Sequence, residues 1–90
     1  MSTTNATALK THWFRLTVEG LDDWTDELVG RMLAAGCDDS SLGTCGGVHE
    51  AAFAREALSY DEAVASARAA VEGLGLTVVR VEVEEPPTTG

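Results

Sequence analysis

Gly46-Gly47 is the feature that most constrains the fold of this chain. It interrupts a run of residues from Cys37 to Glu56 that is otherwise compatible with two strands. Paired glycines accept positive φ at both positions, which is what a two-residue hairpin turn needs. A turn of that length fixes the register. Cys45 then pairs with Val48, Thr44 with His49, Leu42 with Ala51 and Ser40 with Phe53. Directly opposed residues share a face. One face therefore collects Leu42, Ala51 and Phe53, a set suited to a core. The other carries Gly43, Cys45, Val48, Glu50 and Ala52. A slip of one residue would exchange the two sets.

Around this hairpin the periodicity predicts four more elements. His12 to Val18 alternates, with Phe14, Leu16 and Val18 on one side and Trp13, Arg15 and Thr17 on the other. This is a strand with one buried face. Gly20 breaks it. A helix follows, with Asp23 as the expected cap, Asp26 at its third position and a stripe of Trp24, Leu28, Met32 and Ala35. Gly36 is expected to end it in the left-handed conformation. Ser59 and Glu62 have the spacing of a capping box. Behind them Tyr60, Ala63, Val64, Ala67, Ala70, Val71 and Leu74 form a second helical stripe, which Gly73 and Gly75 terminate. Leu76 to Val83 reads as the last strand, with Val79, Val81 and Val83 on one side and Val78, Arg80 and Glu82 on the other.

The order is strand, helix, strand, strand, helix, strand. That is the ferredoxin-like βαββαβ pattern of an α+β, two-layer sandwich. Right-handed crossovers place the first and third strands in the centre of an antiparallel sheet and both helices on one face. Residues 12–83 form the domain. Residues 1–11 and 84–90 are expected to be disordered tails, both polar, with Pro86-Pro87 blocking further pairing. The second sheet face has no helices to cover it. Trp13, Arg15, Cys45, Val48, Val78 and Arg80 are expected there. Trp13, Arg15, Val48, Val78 and Arg80 are the candidate protein-interaction residues, because an aromatic with arginines on an uncovered sheet is typical of an interface. The bland alternative is that the N-terminal tail covers Trp13.

Fifteen acids against six bases give a formal charge of −9. Phosphate binding needs clustered Lys and Arg, so direct nucleic-acid binding is not expected. No apolar run is long enough to span a membrane, and Met1 to Thr11 lacks the apolar core of a signal peptide. The expected setting is cytoplasmic. The absence of Ile and Gln, with single Lys and Asn residues, matches the codon bias of a GC-rich genome. The acidic surface confers solubility. A sharper reading is mimicry of nucleic acid, with Asp22, Asp23, Asp26, Glu27, Asp38, Asp39, Glu82, Glu84 and Glu85 imitating phosphates. Arg15, Arg31, Arg55, Arg68 and Arg80 interrupt that field.

Cys37, Cys45 and His49, joined by Asp38, Asp39 or His12, raise the question of a metal. The C-x7-C-x3-H spacing matches no common zinc site, and the hairpin register sets Cys45 and His49 on opposite faces. The same facing argues against a Cys–His nucleophile. His12 is expected at the edge of the tail. A Cys37–Cys45 disulfide does not suit the expected compartment. Gly43, Gly46 and Gly47 serve a hairpin, not a phosphate loop. Asp22-Asp23 and Asp38-Asp39 are the kind of pairs that cap and turn. No enzyme activity, cofactor or metal is expected.

Ala35-Gly36-Cys37-Asp38-Asp39, Gly43, Gly47-Val48, Phe53, Arg55-Glu56-Ala57, Ser59, Glu62-Ala63, Ser66-Ala67, Val71-Glu72 and Val78-Val79-Arg80-Val81-Glu82 carry a resemblance. Over residues 14 to 83 the chain resembles the N-terminal domain of a poorly characterised family of small proteins from GC-rich bacteria and their phages. In many of those proteins the last strand runs through an acidic, Pro-containing segment into a helix-turn-helix. Here the sequence departs from that pattern after Val83, so DNA binding does not carry over. The resemblance implies a partner-binding or self-associating module, with no catalytic residues to transfer. The expected function is a non-enzymatic protein-interaction module of a phage or mobile element that modulates a host protein or regulator. Its expected partner is a protein, a host protein or a second copy. The alternative is a DNA-mimic inhibitor of a nucleic-acid-binding protein.

Overall fold

The computed structural model describes residues 9–84. Six elements follow in the expected order: β1 (Lys10–Glu19), α1 (Asp26–Ala34), β2 (Ser40–Cys45), β3 (Val48–Ala57), α2 (Tyr60–Glu72) and β4 (Thr77–Val83). The sheet order is β2-β3-β1-β4, and every neighbouring pair is antiparallel. This is the ferredoxin-like arrangement, with β1 and β3 central.

The hairpin register is the one that the Gly46-Gly47 turn dictates. Cys45 pairs with Val48, Thr44 with His49, Leu42 with Ala51 and Ser40 with Phe53. Gly46 and Gly47 have φ of 60° and 84°, a region that side-chain-bearing residues seldom adopt. Phe14 faces Phe53 across the β1–β3 pair, and their rings stack 5.3 Å apart. Phe14, Leu16 and Val18 are almost completely buried together with Ala51, Phe53, Met32, Ala63, Ala67 and Val71. Burying aliphatic and aromatic side chains of this size stabilises a fold by roughly 1.5–3 kcal/mol each. The alanines of α2 let that helix approach the sheet closely.

Both helices stop and start on local signals. Ser59 Oγ accepts from the N–H of Glu62 (3.2 Å), so Ser59 caps α2. Gly36 has φ of 89° immediately after the α1 C-cap, Ala35. The start of α1 differs from expectation. Thr25 is its cap, with Oγ1 accepting from the N–H of Leu28 (3.2 Å). The Asp23 carboxylate instead accepts from the N–H of Trp24 (2.8 Å). Asp26 and Glu27 then occupy the first turn, where the helix dipole favours acids.

Three further expectations are corrected. Lys10 and Thr11 belong to β1, pairing with Ala57 and Glu56. At the other end, the Glu84 N–H donates to Trp13 O (2.8 Å). The remaining tail positions, 1–8 and 85–90, lie outside the described residues. His12 is not at a loose edge. It is buried on the core face, its Nε2–H donates to Ala57 O (3.1 Å), and its ring meets Tyr60 edge-on at 4.6 Å.

The third correction concerns β4. A register shift lies between Thr17 and Val18, so that Thr17 pairs with Arg80 and Val18 with Val78. One extra residue, Val79, is accommodated there, and such a bulge inverts the alternation of side chains. Val78 consequently joins the core at 6% exposure, not the open face. We expect Ser59→Ala to lower stability by about 1 kcal/mol. Denaturant melts read this, and an unchanged midpoint would show that the cap contributes nothing.

Candidate functional site

Alternation along β1 sets Trp13, Arg15 and Thr17 on the face away from the helices. Their cross-strand partners on β3 are Ala54, Ala52 and Glu50. On β2, Ser41 lies opposite Ala52 and Gly43 opposite Glu50. Large side chains on β1 thus stand beside a floor of small ones. The result is a pair of adjoining shallow depressions. One, of about 290 Å³, is lined by Trp13, Ser41, Ala52, Ala54 and Glu84 among others. The second, of about 230 Å³, is lined by Arg15, Ser41, Gly43, Glu50 and Ala52 among others.

The guanidinium of Arg15 is held between two carboxylates, Glu50 at 3.3 Å and Glu84 at 2.6 Å. All three side chains are about one-third exposed, so each pair adds little stability in water. The effect is positional: the arginine is fixed over the sheet. Trp13 is held from below. Its N–H donates to the Tyr60 hydroxyl (3.2 Å), and that hydroxyl lies within hydrogen-bonding distance of Trp13 O (2.7 Å) and Glu84 O (3.1 Å). Tyr60 opens α2, so the first turn of the helix anchors the backbone beneath the tryptophan.

Of the expected interaction residues, Trp13 and Arg15 are brought together. Val48 is on the open face and 46% exposed, but it sits at the hairpin end. Six residue steps along β3 separate it from Ala54, a span of about 20 Å. Arg80 is on the open face beside Thr17, at the β4 edge, with its side chain 67% exposed. Val78 is excluded by its burial. Cys45 is exposed at the hairpin end.

Sequence reasoning missed Arg55. Its register partner is His12, and Phe53 precedes it by two, so it points to the helix side. There its Nε donates to Asp39 Oδ2 (2.8 Å) and one terminal nitrogen to Asp39 Oδ1 (2.9 Å) and Gly36 O (2.8 Å). The other terminal nitrogen donates to Ser66 Oγ (3.1 Å). The guanidinium also lies 5.1 Å from the Phe53 ring centroid. A charged residue at core parity was the signal available for finding it. Arg55 joins β3, the end of α1, the strand-leading loop and α2. Its hydrogen bond to Asp39 is the main reason that its pKa is raised. Beside it a depression of about 600 Å³ is lined by Thr11, Trp13, Gly36, Asp39, Arg55 and Glu56 among others.

Both histidines are engaged in structure, His12 as described above. His49 is buried on the core face, its Nδ1 hydrogen-bonded to Thr44 Oγ1 (2.8 Å). Trp24, edge-on to His49 at 6.3 Å, donates from Nε1 to Gly43 O (3.0 Å). Cys37 is buried and Cys45 exposed, and both are free thiols. Burial raises the pKa of Cys37, against the lowering influence of Arg55. Among the described residues no group of three His, Cys, Asp or Glu side chains is placed to hold a metal, and no helix is long and apolar enough to cross a membrane. Comparison with family models, with curated proteins and with solved structures found no match to this chain.

Two expectations follow. Arg55→Met should cost about 2–3 kcal/mol, because Asp39 and the Gly36 carbonyl lose a partly buried partner. Urea denaturation measures this, and a loss under half a kilocalorie, roughly the size of a neutral surface change, would show that the clamp is dispensable. In thiol alkylation of the folded chain, Cys45 should react promptly and Cys37 only on unfolding. The raised Cys37 pKa also has a sign. The folded state keeps this thiol protonated where the unfolded chain ionises it. Its contribution to stability is full below the ordinary thiol range and is lost as pH climbs from there through the raised value of the folded state. Cys37→Ala should remove that part of the alkaline decline.

Proposed function

We propose that this chain is a non-enzymatic protein-interaction module whose docking surface is the open sheet face centred on Trp13 and Arg15. The observation that carries the reading is the pairing of a half-buried tryptophan and a carboxylate-held arginine with a floor of Ser41, Ala52 and Ala54. Trp and Arg are the residue types most enriched at binding hot spots, since each combines large area with a directed polar group. Here both are pre-positioned on strands, which lowers the cost of ordering them on binding. The small floor residues leave room for a partner's side chains. The expected partner is a host protein or regulator, in keeping with the resemblance to small proteins of bacteria and phages, and the expected setting is cytoplasmic.

The second reading is a DNA-mimic inhibitor, favoured by the net charge of −9. Ion pairs blunt it locally: Arg15 bridges Glu50 and Glu84, Arg55 pairs with Asp39, and Arg80 lies 2.8 Å from Glu82. Three of the acids that would imitate phosphates, Asp39, Glu82 and Glu84, are therefore already engaged by arginines.

Trp13→Ala should leave the melting transition nearly unchanged and weaken partner binding by about 2 kcal/mol. The measurement is affinity capture from a lysate of the bacterial host, wild type beside mutant, followed by titration of the recovered partner. Binding through the trough should change modestly with ionic strength, whereas a mimic's affinity should fall steeply. Full recovery by the mutant would remove the surface assignment. A steep salt dependence would transfer the reading to mimicry.

A further inference from the structure

β4 is an edge strand, with β1 on one side and no described strand on the other. Natural edges of this kind are templates for pairing unless they are blunted. The sequence of this one, Val79-Arg80-Val81-Glu82-Val83, has an internal symmetry about Val81. We propose that two copies of the chain associate through their β4 edges, antiparallel, about a two-fold axis at Val81. This inference concerns a different surface from the Trp13–Arg15 trough and does not rest on it.

Backbone geometry comes first. The Glu84 N–H donates to Trp13 O, and the two are in register with the pairs Arg15–Glu82 and Phe14–Val83. Hydrogen-bonded and non-hydrogen-bonded pairs alternate in an antiparallel ladder. Glu82 therefore directs its N–H and C=O at β1, while Val81 and Val83 direct theirs at the free edge. A two-fold at Val81 lets each copy's Val81 exchange both hydrogen bonds with its counterpart.

Charge then selects the register. Pairing about Val81 sets Arg80 opposite Glu82 of the second copy, twice by symmetry, and Val79 opposite Val83. A two-fold at Arg80 or at Glu82 sets a like charge against itself. One at Val83 opposes Glu82 to Glu84, and one at Val79 opposes Arg80 and Glu82 to Val78 and Leu76. Only the Val81 register gives both charges an opposite partner. Arg80 and Glu82 already form an ion pair within the strand (2.8 Å) and remain 67% and 41% exposed, so they are available for a four-charge cluster. On the helix side Val81 and Val83 are 36% and 68% exposed, apolar area that the second copy's valines would cover.

The test is sedimentation equilibrium of the full chain under reducing conditions over a concentration series. The wild type should show a reversible monomer–dimer equilibrium. Arg80→Glu and Glu82→Arg, each alone, place like charges opposite one another twice per dimer and should weaken it by about tenfold. The double variant R80E/E82R restores opposite pairing and should restore the dimer. Val81→Pro removes an N–H that β1 does not use, so it should abolish the dimer while circular dichroism still reports a folded monomer. Trp13→Ala should leave the dimer intact. A wild type that stays monomeric to about millimolar concentration, or a dimer indifferent to both single charge changes, overturns the proposal. So does a dimer that Trp13→Ala dissolves and Val81→Pro does not.

Discussion

Side-chain parity along β1 is the constraint on which the rest of this structure depends. β1 is paired on both sides, so its alternation propagates to β3 and to β4 through register. Once Phe14, Leu16 and Val18 face the helices, Ala51 and Phe53 must join them and Trp13 and Arg15 must face away. A change of parity in β1 would bury Arg15 and expose Phe14. The full burial of Phe14 and Leu16 makes that alternative several kilocalories worse, on the order of 1.5–3 kcal/mol for each large apolar side chain. The open face is thus the necessary complement of the core face.

Parity alone does not close the end of the sheet where β2 has not yet begun. Two polar side chains do this. Arg55 ties β3 to Asp39, Gly36 O and Ser66, and Tyr60 ties the start of α2 to the backbone of Trp13 and Glu84. Each joins elements that packing alone would leave free to slide. Charge-assisted, two-point contact of Arg55 with Asp39 adds direction as well as energy. These ties flank Trp13, and they keep the trough in shape although the floor consists of small residues that pack little.

How legible was this in the sequence? Wherever one physical rule acted alone, it sufficed. The Gly46-Gly47 turn set the β2–β3 register, the S-x-x-E spacing found the α2 cap, and the period of β1 found the core. Errors arose where two rules competed. Asp23 and Thr25 are both competent caps, and the turn before α1 uses the Asp23 carboxylate on Trp24 N–H, leaving Thr25 for the helix. β4 alternates twice over, before and after Val79, and a bulge has no local sequence mark in a run of valines. The misplacement of Val78 followed directly. His12 and Arg55 are polar residues at core parity. Their burial depends on partners distant in sequence, Ala57 and Tyr60 for His12, Asp39 and Ser66 for Arg55, and no spacing rule reveals those. The open face was legible in outline, but its small-residue floor emerges only when β2, β3 and β1 are laid side by side.

The bulge that misled the alternation also shapes what the β4 edge can do. Without Val79 as an extra residue, Val78 and Arg80 would share one face along the strand. With it, Val78 completes the core, and Arg80 and Glu82 stand on the open face beside Thr17 and Arg15. A two-fold axis through antiparallel edges runs perpendicular to the sheet, so it keeps both open faces on one side and all four helices on the other. Edge pairing would then build an eight-stranded sheet carrying two Trp13–Arg15 troughs side by side. A partner with two matching segments would bind such a pair with an avidity beyond that of one trough, with no new contact needed. The core, the edge charges and the open face are therefore linked through one inserted valine. A substitution that shifted the bulge would disturb the burial of Val78 and the pairing of Arg80 together, while leaving the hairpin and its register untouched.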